Sequence, residues 1–366
     1  MIIKGKYDKA VVYTENIEET AIEQIKEYLD QECFKGTNTR VMPDTHSGKG
    51  CVIGFTSRLN GYIVPNLIGV DIGCGVLSVN LGKIDIDLEA LDIFIHKNIP
   101  AGFNVYNQKK EDITILRNMY CYNELINVDH IEKSLGTLGG GNHFIEIDID
   151  EDGNKYLLIH TGSRNLGKQV ATLYQNMAET YRVENNIDIP KHLAYLKDSD
   201  RHKYFRDFKI CVLFARVNRK EIAKTILDGF FGMNLEDKEQ IDTIHNYIDR
   251  NNIVRKGAIS AQKEEKVIIP LNMGAGALLC VGKGNEEWNY SAPHGAGRIM
   301  SRRKAKESID LDDYKRTMES IYTSSVSINT IDEAPMCYKN ADEIKNAIGD
   351  TVDIIKHIRP IYNFKA

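Results

Sequence analysis

The sequence has no apolar run approaching the roughly 20 residues that a membrane-spanning helix requires. Its first residues also lack the apolar stretch of a secretory signal. We therefore expect a cytoplasmic protein that acts away from membranes. The seven cysteines form no Cys-x-x-Cys pair, which argues against a zinc ribbon or a thioredoxin-like site and fits reduced thiols.

Neither an extreme net charge nor a linker is present in the chain. The formal net charge of −5 argues against a protein that coats nucleic acid generally, while a local basic site is compatible with it. Hydrophobic residues make up 42% and charged residues 27% of the 366 positions, as in globular proteins. Because repeats, low-complexity segments and linker-like composition are all missing, we predict one domain over residues 1–366.

The most informative segment runs from residue 291 to residue 306 and contains His294. Three small residues, Gly295, Ala296 and Gly297, follow this histidine and would let a ligand approach the backbone closely. The basic residues that come next could hold phosphate or a nucleic-acid backbone. They are Arg298, Arg302, Arg303, Lys304 and Lys306. A histidine beside such a site can be a metal ligand, an acid or base, or a nucleophile toward phosphorus. The alternative is a glycine turn followed by a solvated basic helix.

Residues of metal-ligand type recur beside glycines elsewhere in the chain. Asp71 and Cys74 alternate with glycines, and a Cys/Asp pair completed by histidines suits a borderline divalent metal. His143 precedes one predicted strand and His160 follows another, each next to a glycine-rich turn. The alternative for the first pair is a structural cysteine and a turn aspartate.

Three further turns have the composition of binding loops. Asp44 and His46 are predicted to lie in a short loop between two strands, where binding groups are common. The glycines of residues 136–141 do not follow the order of a P-loop. Ser163 and Arg164 precede a predicted helix, and a helix N-terminus is a plausible anion site.

Helical spacing predicts a surface helix over residues 17–31 and a charged helical region over residues 193–229. We interpret some arginines of the second region, which contains Arg201, Arg206, Arg216 and Arg219, as an RNA-facing side. The stretch over residues 240–248, which contains a lone histidine, is predicted to be helical. A last helix is expected over residues 340–358.

Taken together, these segments closely resemble the RtcB family of GTP-dependent RNA ligases, which join a 3′-phosphate or 2′,3′-cyclic phosphate end to a 5′-hydroxyl end. The matching segments span nearly the whole chain in family order. They are MPDTHSGKG (42–50), GVDIGCG (69–75), GTLGGGNHFIEI (136–147), IHTGSRNLG (159–167), IHN (244–246), RKGAISA (255–261), SAPHGAGRIMSR (291–302), DEAPMCYKN (332–340) and the terminal Lys365. The resemblance implies a mixed α/β fold, with β-sheets surrounded by helices around a metal-lined cleft.

The resemblance also implies roles for individual residues. Two Mn²⁺ ions would be bound by Asp71, Cys74, His143, His160 and His245. His294 would be the nucleophile that becomes guanylylated, and Asp44 would support the site. The guanine nucleotide of GTP would contact Asn142, Phe144, Glu146, Asn272, Gly295, Ala296, Gly297, Tyr338 and Lys365. Phosphates would be held by Arg164, Arg298 and Arg302.

A histidine nucleophile agrees with the absence of Lys-x-Asp-Gly, the signature of ligases that adenylylate lysine. Attack of a neutral imidazole on the α-phosphorus of GTP requires shielding of the triphosphate charge, which metal ions and arginines supply. We therefore predict a ligase of RNA ends in RNA repair or tRNA splicing, and leave open an activating protein partner. The alternatives are a Mn²⁺-dependent phosphodiesterase or cyclic-phosphate hydrolase and a non-catalytic RNA-end-binding protein. Leu271 and Asn272 stand where Gly and Ser are usual in the family, at the border of the nucleotide pocket.

Overall fold

Two large β-sheets form the frame of the protein, whose computed structural model describes residues 1–366. The strands, in chain order, are β1 (Ile2–Lys4), β2 (Lys9–Val12), β3 (Arg40–His46), β4 (Ile53–Arg58), β5 (Gly75–Gly82), β6 (Phe144–Ile149), β7 (Lys155–Thr161), β8 (Gln240–Ile244), β9 (Asn246–Ile248), β10 (Ile253–Lys256), β11 (Ala258–Ser260), β12 (Lys266–Asn272), β13 (Gly276–Gly282), β14 (Ser291–Pro293) and β15 (Val352–Phe364). One sheet has six strands in the order β1-β2-β3-β4-β10-β9, and the other has seven in the order β12-β13-β15-β6-β7-β5-β8. β11 and β14 form a separate pair. Only β2 and β3 pair in parallel.

Eight helices cover the sheets. They are α1 (Glu19–Leu29), α2 (Leu88–Asn98), α3 (Val128–Lys133), α4 (Arg164–Glu184), α5 (Asp198–Ile226), α6 (Arg302–Ser308), α7 (Leu311–Thr317) and α8 (Ala341–Ala347). In α1 the buried residues Ala21, Ile25 and Tyr28 recur at helical spacing and pack in the same core as the six-stranded sheet. None of the helices combines the length and apolar character needed to cross a membrane.

Helix α5 contributes to the cores beside both sheets. Phe208 and Phe214, in its middle, are buried with residues of the six-stranded sheet. Ile222 and Ile226, in its last turns, are buried with the apolar face of β5, β6 and β7. Each such buried side chain stabilises the fold by about 1.5–3 kcal/mol relative to an exposed one. The helix therefore fixes the two sheets relative to each other, and the cleft described below is lined by residues of both.

The structure confirms several predicted elements. Helix α1 lies within the stretch 17–31, and β6 and β7 cover the predicted strands that flank His143 and His160. Most of the stretch 193–229 is helical, within α5.

Two predicted helices are wrong. The stretch 240–248 forms β8, which pairs with β5, and β9, which pairs with β10; its β-branched Ile and Thr residues favour strands. The stretch 340–358 contains only the short α8 before β15 begins, and β15 pairs with β13 on one side and β6 on the other. Asp44 and His46 also belong to β3 rather than to a loop.

Candidate active site

Four adjacent strands bring the predicted metal ligands to one end of the seven-stranded sheet. Strands β6, β7, β5 and β8 pair antiparallel in this order, so the starts of β5 and β6 meet the ends of β7 and β8. Cys74 directly precedes β5 and His143 directly precedes β6. His160 lies near the end of β7, and His245 directly follows β8. Strand pairing therefore gathers four side chains that are distant in sequence.

The donor atoms of these side chains form two overlapping groups. The Sγ atom of Cys74 lies 3.2 Å from Nε2 of His160 and 3.5 Å from Nε2 of His143. Nε2 of His143 lies 2.9 Å from Oδ2 of Asp71. Cys74, His160 and His245 form one group and Asp71, Cys74 and His143 the other, with all donor atoms of a group within 4.8 Å of one another. Sulfur, nitrogen and oxygen donors so arranged fit borderline divalent ions, and Cys74 is common to both groups.

Backbone carbonyl groups orient two of the histidines. Nδ1 of His143 lies 2.9 Å from the carbonyl oxygen of Leu138, and Nδ1 of His160 lies 3.0 Å from that of Asn142. When Nδ1–H donates to a carbonyl, the Nε2 lone pair is left for a metal. Burial lowers the pKa of both His160 and His245 well below the ordinary value. Both imidazoles are therefore neutral, as metal ligands must be.

The thiol and the carboxyl of the cluster also fit a cation. Burial, with Asp71 nearby, raises the pKa of the Cys74 thiol well above its ordinary value. A bound cation would be needed to stabilise the thiolate in this position. Burial acts to raise the pKa of Asp71, but the hydrogen bond and charge of His143 and the hydrogen bond with Cys74 together outweigh it, and the pKa is lowered. An ionised carboxylate beside a buried thiol thus favours positive charge at this point.

Arg219 supports the cluster from behind and does not face solvent. Its side chain is fully buried, donates from Nη1 to the carbonyl oxygens of Gly73 and Thr161 at 2.9 Å each, and pairs with Asp242 at 2.7 Å. Arg219 is therefore not one of the arginines that could form an RNA-facing side. Helical spacing could not show this, because the partners of Arg219 come from other strands.

His294 stands beside the metal-ligand cluster and is held by Asp44. Its Nδ1 lies 2.6 Å from Oδ2 of Asp44, and its backbone N–H donates to the same oxygen at 3.1 Å. Asp44 is fully buried, whereas 18% of the His294 side chain is exposed. With Nδ1–H donated to the carboxylate, Nε2 keeps its lone pair and has no hydrogen-bond partner in the protein. The ring centroid of His245 lies 4.8 Å from that of His294.

Close backbone packing explains the glycine after this histidine. Gly297 has φ +78°, and a Cβ added there would lie 2.2 Å from the carbonyl oxygen of Asp44. Any larger residue would push β3 away from His294. The small residues of the segment thus bring Asp44 and His294 together as well as opening space for a ligand.

A cleft of about 680 Å³ joins the metal-ligand cluster to most of the predicted nucleotide contacts. Of the predicted site residues, those that line it are Asp71, Cys74, Asn142, Phe144, Glu146, His160, His245, Asn272, His294, Gly295, Ala296, Gly297, Arg298, Arg302, Tyr338 and Lys365. His143 and Asp44 lie directly behind this lining, bonded to Asp71 and His294. This volume is within the range that small-ligand sites occupy.

Glu333 organises the cationic part of the cleft. This buried carboxylate accepts hydrogen bonds from Tyr338 at 2.6 Å and Lys365 at 3.0 Å, and it also pairs with Arg298 and Arg302. Burial acts to raise its pKa, but the cations, Lys365 first, hold it at about 2. Glu333 is therefore ionised and fixes four predicted ligand-binding side chains.

Glu146 forms the floor of the same region. It is 2% exposed, accepts a hydrogen bond from the Asn363 side chain, and has its pKa raised to about 7 by burial. Asp148, two residues further along β6, is fully buried and neither of its carboxylate oxygens has a partner. Lys365 lies over the ring of Phe144, 5.8 Å from its centroid.

Two predicted site residues are placed differently from the others. Arg164 does not line the cleft, since it lies behind Gly139 and donates to Thr137 at 3.1 Å and to the carbonyl oxygen of Gly102 at 2.9 Å. Asn272 lines the cleft, but its Oδ1 accepts hydrogen bonds from the backbone N–H groups of residues 274 and 275. Only the amide Nδ2 of Asn272 is thus left for a ligand.

Comparison with known proteins agrees with this arrangement. The family model described as tRNA-splicing ligase RtcB matches residues 32–123 and 121–366. The chain belongs to the RtcB family. The RNA-splicing ligase RtcB of Escherichia coli (strain K12) is 32% identical over 364 residues, covering 88% of this chain and 88% of that protein. The tRNA-splicing ligase RtcB of Aeropyrum pernix is 27% identical over 462 residues, covering 99% and 92%. That of Methanococcus maripaludis is 28% identical over 430 residues, covering 92% and 89%.

Membership of the RtcB family confirms the resemblance predicted from the motifs, and the sheets and helices confirm the mixed α/β fold. Sequence reasoning missed two residues of the site. Glu333 lies inside the matching segment 332–340, yet nothing in its neighbours indicates the four partners that it meets from elsewhere. Asn246 is the other, donating to the carbonyl oxygen of Asp71 at 3.1 Å while accepting from the N–H of Gly257 at 2.9 Å. A polar residue directly after a candidate ligand was the available signal.

Proposed function

We propose that the protein is an RNA ligase that joins a 3′-phosphate or 2′,3′-cyclic phosphate end to a 5′-hydroxyl end, with His294 as the nucleophile that carries GMP. The position of His294 is the observation that carries the proposal. Its Nδ1 is held by the buried Asp44, its Nε2 is unpaired, and its ring adjoins the metal-ligand cluster in the cleft. RNA repair or tRNA splicing is the proposed setting.

The proposed reaction has three transfers. Nε2 of His294 bonds to the α-phosphorus of GTP while the bond to pyrophosphate breaks. An oxygen of the RNA 3′-phosphate then takes the guanylyl group from His294. Finally the 5′-hydroxyl oxygen of the second strand attacks the 3′-phosphorus, its proton passes to solvent, and GMP leaves. A cyclic end first adds one water, which opens the ring to a 3′-phosphate.

The chain provides a group for each demand of these transfers. Asp44 holds the proton on Nδ1 and stabilises the positive charge that develops on the imidazole as Nε2 attacks. Arg298 and Arg302 offer cationic contacts to phosphates in the cleft. The carboxyl group of Glu146 offers an acceptor oxygen that suits the exocyclic amino group of guanine, which favours GTP.

The donor groups around Cys74 fit two metal ions, which we propose to be Mn²⁺, bound by Asp71, Cys74, His143, His160 and His245. When bound, such ions neutralise negative charge on the reacting phosphates. The protein's own part is to fix the donor atoms at the end of the sheet and to keep both buried imidazoles neutral.

The deciding experiment is the intact mass of the purified protein after incubation with GTP and Mn²⁺. We expect an increase of one guanylyl group in the wild type and none in His294→Ala. His202→Ala, which changes an exposed histidine on α5, is the matched control and should be guanylylated normally. An RNA pair with 3′-phosphate and 5′-hydroxyl ends should then be joined by the wild type and by His202→Ala, and not by His294→Ala. Metal-loaded wild type that cleaves cyclic phosphate without forming an adduct would instead identify a hydrolase.

A further inference from the structure

Phe103 is the only aromatic residue of the protein that is more than half exposed. Its relative exposure is 99%, so its ring contributes nothing to any of the apolar cores. Aromatic side chains of this size are normally buried, because covering their surface is a main source of stability. The other side chains with comparable exposure, such as Ile126 at 74% and Val183 at 64%, are aliphatic. A fully exposed ring is thus a singular feature of this surface.

The loop that carries Phe103 is held in place on both sides of its turn. Ala101 forms a bridge with Gly139, and the N–H of Gly102 donates to the carbonyl oxygen of Gly139 at 2.9 Å. Gly102 has φ +65°, a conformation that glycine adopts readily. Its carbonyl oxygen accepts from Nη2 of Arg164 at 2.9 Å. These contacts fix the backbone at residue 102, and the ring follows immediately in solvent.

This position is next to the reacting end of the cleft. A Cβ added at Gly139 would lie 2.9 Å from Nδ1 of His143, and one at Gly140 would lie 3.7 Å from Cα of Gly102. One added at Gly141 would lie 3.9 Å from Nη2 of Arg302. The glycines of residues 139–141 therefore separate the Phe103 loop from the metal-ligand cluster and from Arg302 by a layer of backbone only.

Arg164 places positive charge against the backbone of the loop that carries Phe103. It forms no ion pair with any carboxylate, and its Nη1 makes no hydrogen bond, although Nε and Nη2 are both engaged. An arginine without a carboxylate in ion-pair contact has donor capacity left for a phosphate. A guanidinium for the phosphate and an aromatic face for the base are the two contacts that single-stranded nucleic acid uses most.

We propose that Phe103 is a stacking platform for a nucleobase of the RNA strand whose end enters the cleft, on a loop whose backbone contacts the cationic Arg164. This inference rests on the proposed function, because it assumes that the ligand is RNA. Stacking is tolerant of sequence, since every base offers an aromatic face. The platform would therefore position RNA ends without selecting a base.

Steady-state ligation tests the platform. Phe103→Ala should raise the KM for RNA on the order of tenfold, with kcat at saturating RNA changed less, as expected for loss of one base stack. Phe103→Tyr should retain the wild-type KM, because it restores the ring. Ile126→Ala is the matched control for loss of an exposed apolar side chain and should behave as wild type. An unchanged KM in Phe103→Ala would overturn the inference.

Direct binding gives a second readout that does not depend on turnover. The single tryptophan, Trp288, is 3% exposed, so a Phe103→Trp variant adds one solvent-exposed reporter. Its fluorescence should change when a 5′-hydroxyl or a 3′-phosphate oligonucleotide is added separately, and the responding strand identifies the one that stacks. An abasic oligonucleotide of the same length should give no change. Absence of response to both strands, or an equal response to the abasic strand, would contradict stacking.

Different results would refute the proposed function and the stacking role of Phe103. Formation of the guanylyl adduct needs no RNA, so it should be the same in Phe103→Ala and wild type. A wild type without the adduct would refute the proposed function. Normal adduct formation together with an unaltered KM in Phe103→Ala would refute only the stacking role.

Discussion

Nδ1 of His294 and Oδ2 of Asp44 lie 2.6 Å apart, and the same carboxylate oxygen also accepts from the backbone N–H of His294. One buried side chain on β3 thus fixes both the backbone and the ring of a histidine that follows β14. This pairing determines which ring nitrogen is free, and it is a relationship between segments some 250 residues apart.

Replacing Asp44 by Asn should slow guanylylation by about two orders of magnitude or more, because an amide stabilises the wrong tautomer and does not support positive charge on the ring. The measurement is the rate of adduct formation by mass spectrometry. Metal content should be unchanged, which separates this effect from loss of the ions. A normal rate in Asp44→Asn would show that the carboxylate is only structural.

Replacing Cys74 by Ala should reduce metal content more than replacement of any single histidine, because Cys74 belongs to both donor groups. Elemental analysis after dialysis measures the metal bound per chain. Cys280→Ala, at a buried cysteine on β13, is the matched control and should keep the wild-type content. Wild-type metal content in Cys74→Ala would contradict a thiolate shared by two metal ions.

Replacing Glu333 by Gln should weaken both stability and nucleotide binding. Four side chains would lose a common anionic partner, and the three cations among them, of which Lys365 is buried, would then repel one another, at a cost on the order of 3 kcal/mol. Chemical denaturation and the KM for GTP measure the two effects. Glu307→Gln on α6, an exposed carboxylate paired with Arg303, should change neither.

The pH dependence of stability should also identify Glu333. Since its pKa is about 2 in the folded protein and 4.5 ordinarily, its contribution is present above pH 4.5 and is lost as the pH falls toward 2. In Glu333→Gln this acid-induced loss should be smaller. An identical acid profile in the variant would mean that other carboxylates account for it.

Glu146 and Asp148 should give the free energy of unfolding the opposite pH dependence. Burial raises the pKa of Glu146 to about 7 and that of Asp148 well above its ordinary value. Between pH 4.5 and 7 the folded state therefore binds more protons than the unfolded state, and the free energy of unfolding should fall as the pH rises, on the order of 1–3 kcal/mol.

Asp148→Asn should raise the melting temperature at pH 8 and flatten this decline. The amide cannot ionise, so the buried position no longer carries the charge that burial and the neighbouring Glu146 disfavour. Asp152→Asn, at an exposed aspartate of the β6–β7 turn, is the control. Lower stability of Asp148→Asn at pH 8 would show that the carboxylate is ionised and compensated.

Motifs in the sequence predicted most residues that line the cleft, whereas the hydrogen-bond and ion-pair partners that come from distant strands could not be predicted. Residues of metal-ligand type beside glycines, such as Asp71 and Cys74, stand out because buried polar groups and turns are chemically unusual in apolar surroundings. Glu333 and Arg219 carried no such signal, since their partners lie on other elements. His245 was found through family resemblance even though its surrounding stretch was predicted to be helical.

The order of strands in the sheets could not be predicted from local sequence patterns, for a related reason. β15 is a long strand in the middle of the seven-stranded sheet, yet it contains Pro360, which a central strand normally excludes. The structure accommodates this proline at a register irregularity opposite Asp148. Only the neighbouring strands reveal that such an irregularity is present.

The candidate metal ligands lie on paired strands, so they come together only when the strands have the register seen in this structure. His160 faces the cluster only because it is opposite Val76 and Phe144. A slip of β7 by one residue would turn His160 to the opposite face and bring Ile159 or Thr161 to the cluster. Binding energy from the proposed ions would therefore stabilise one alignment alone, so metal binding during folding would select against misaligned sheets.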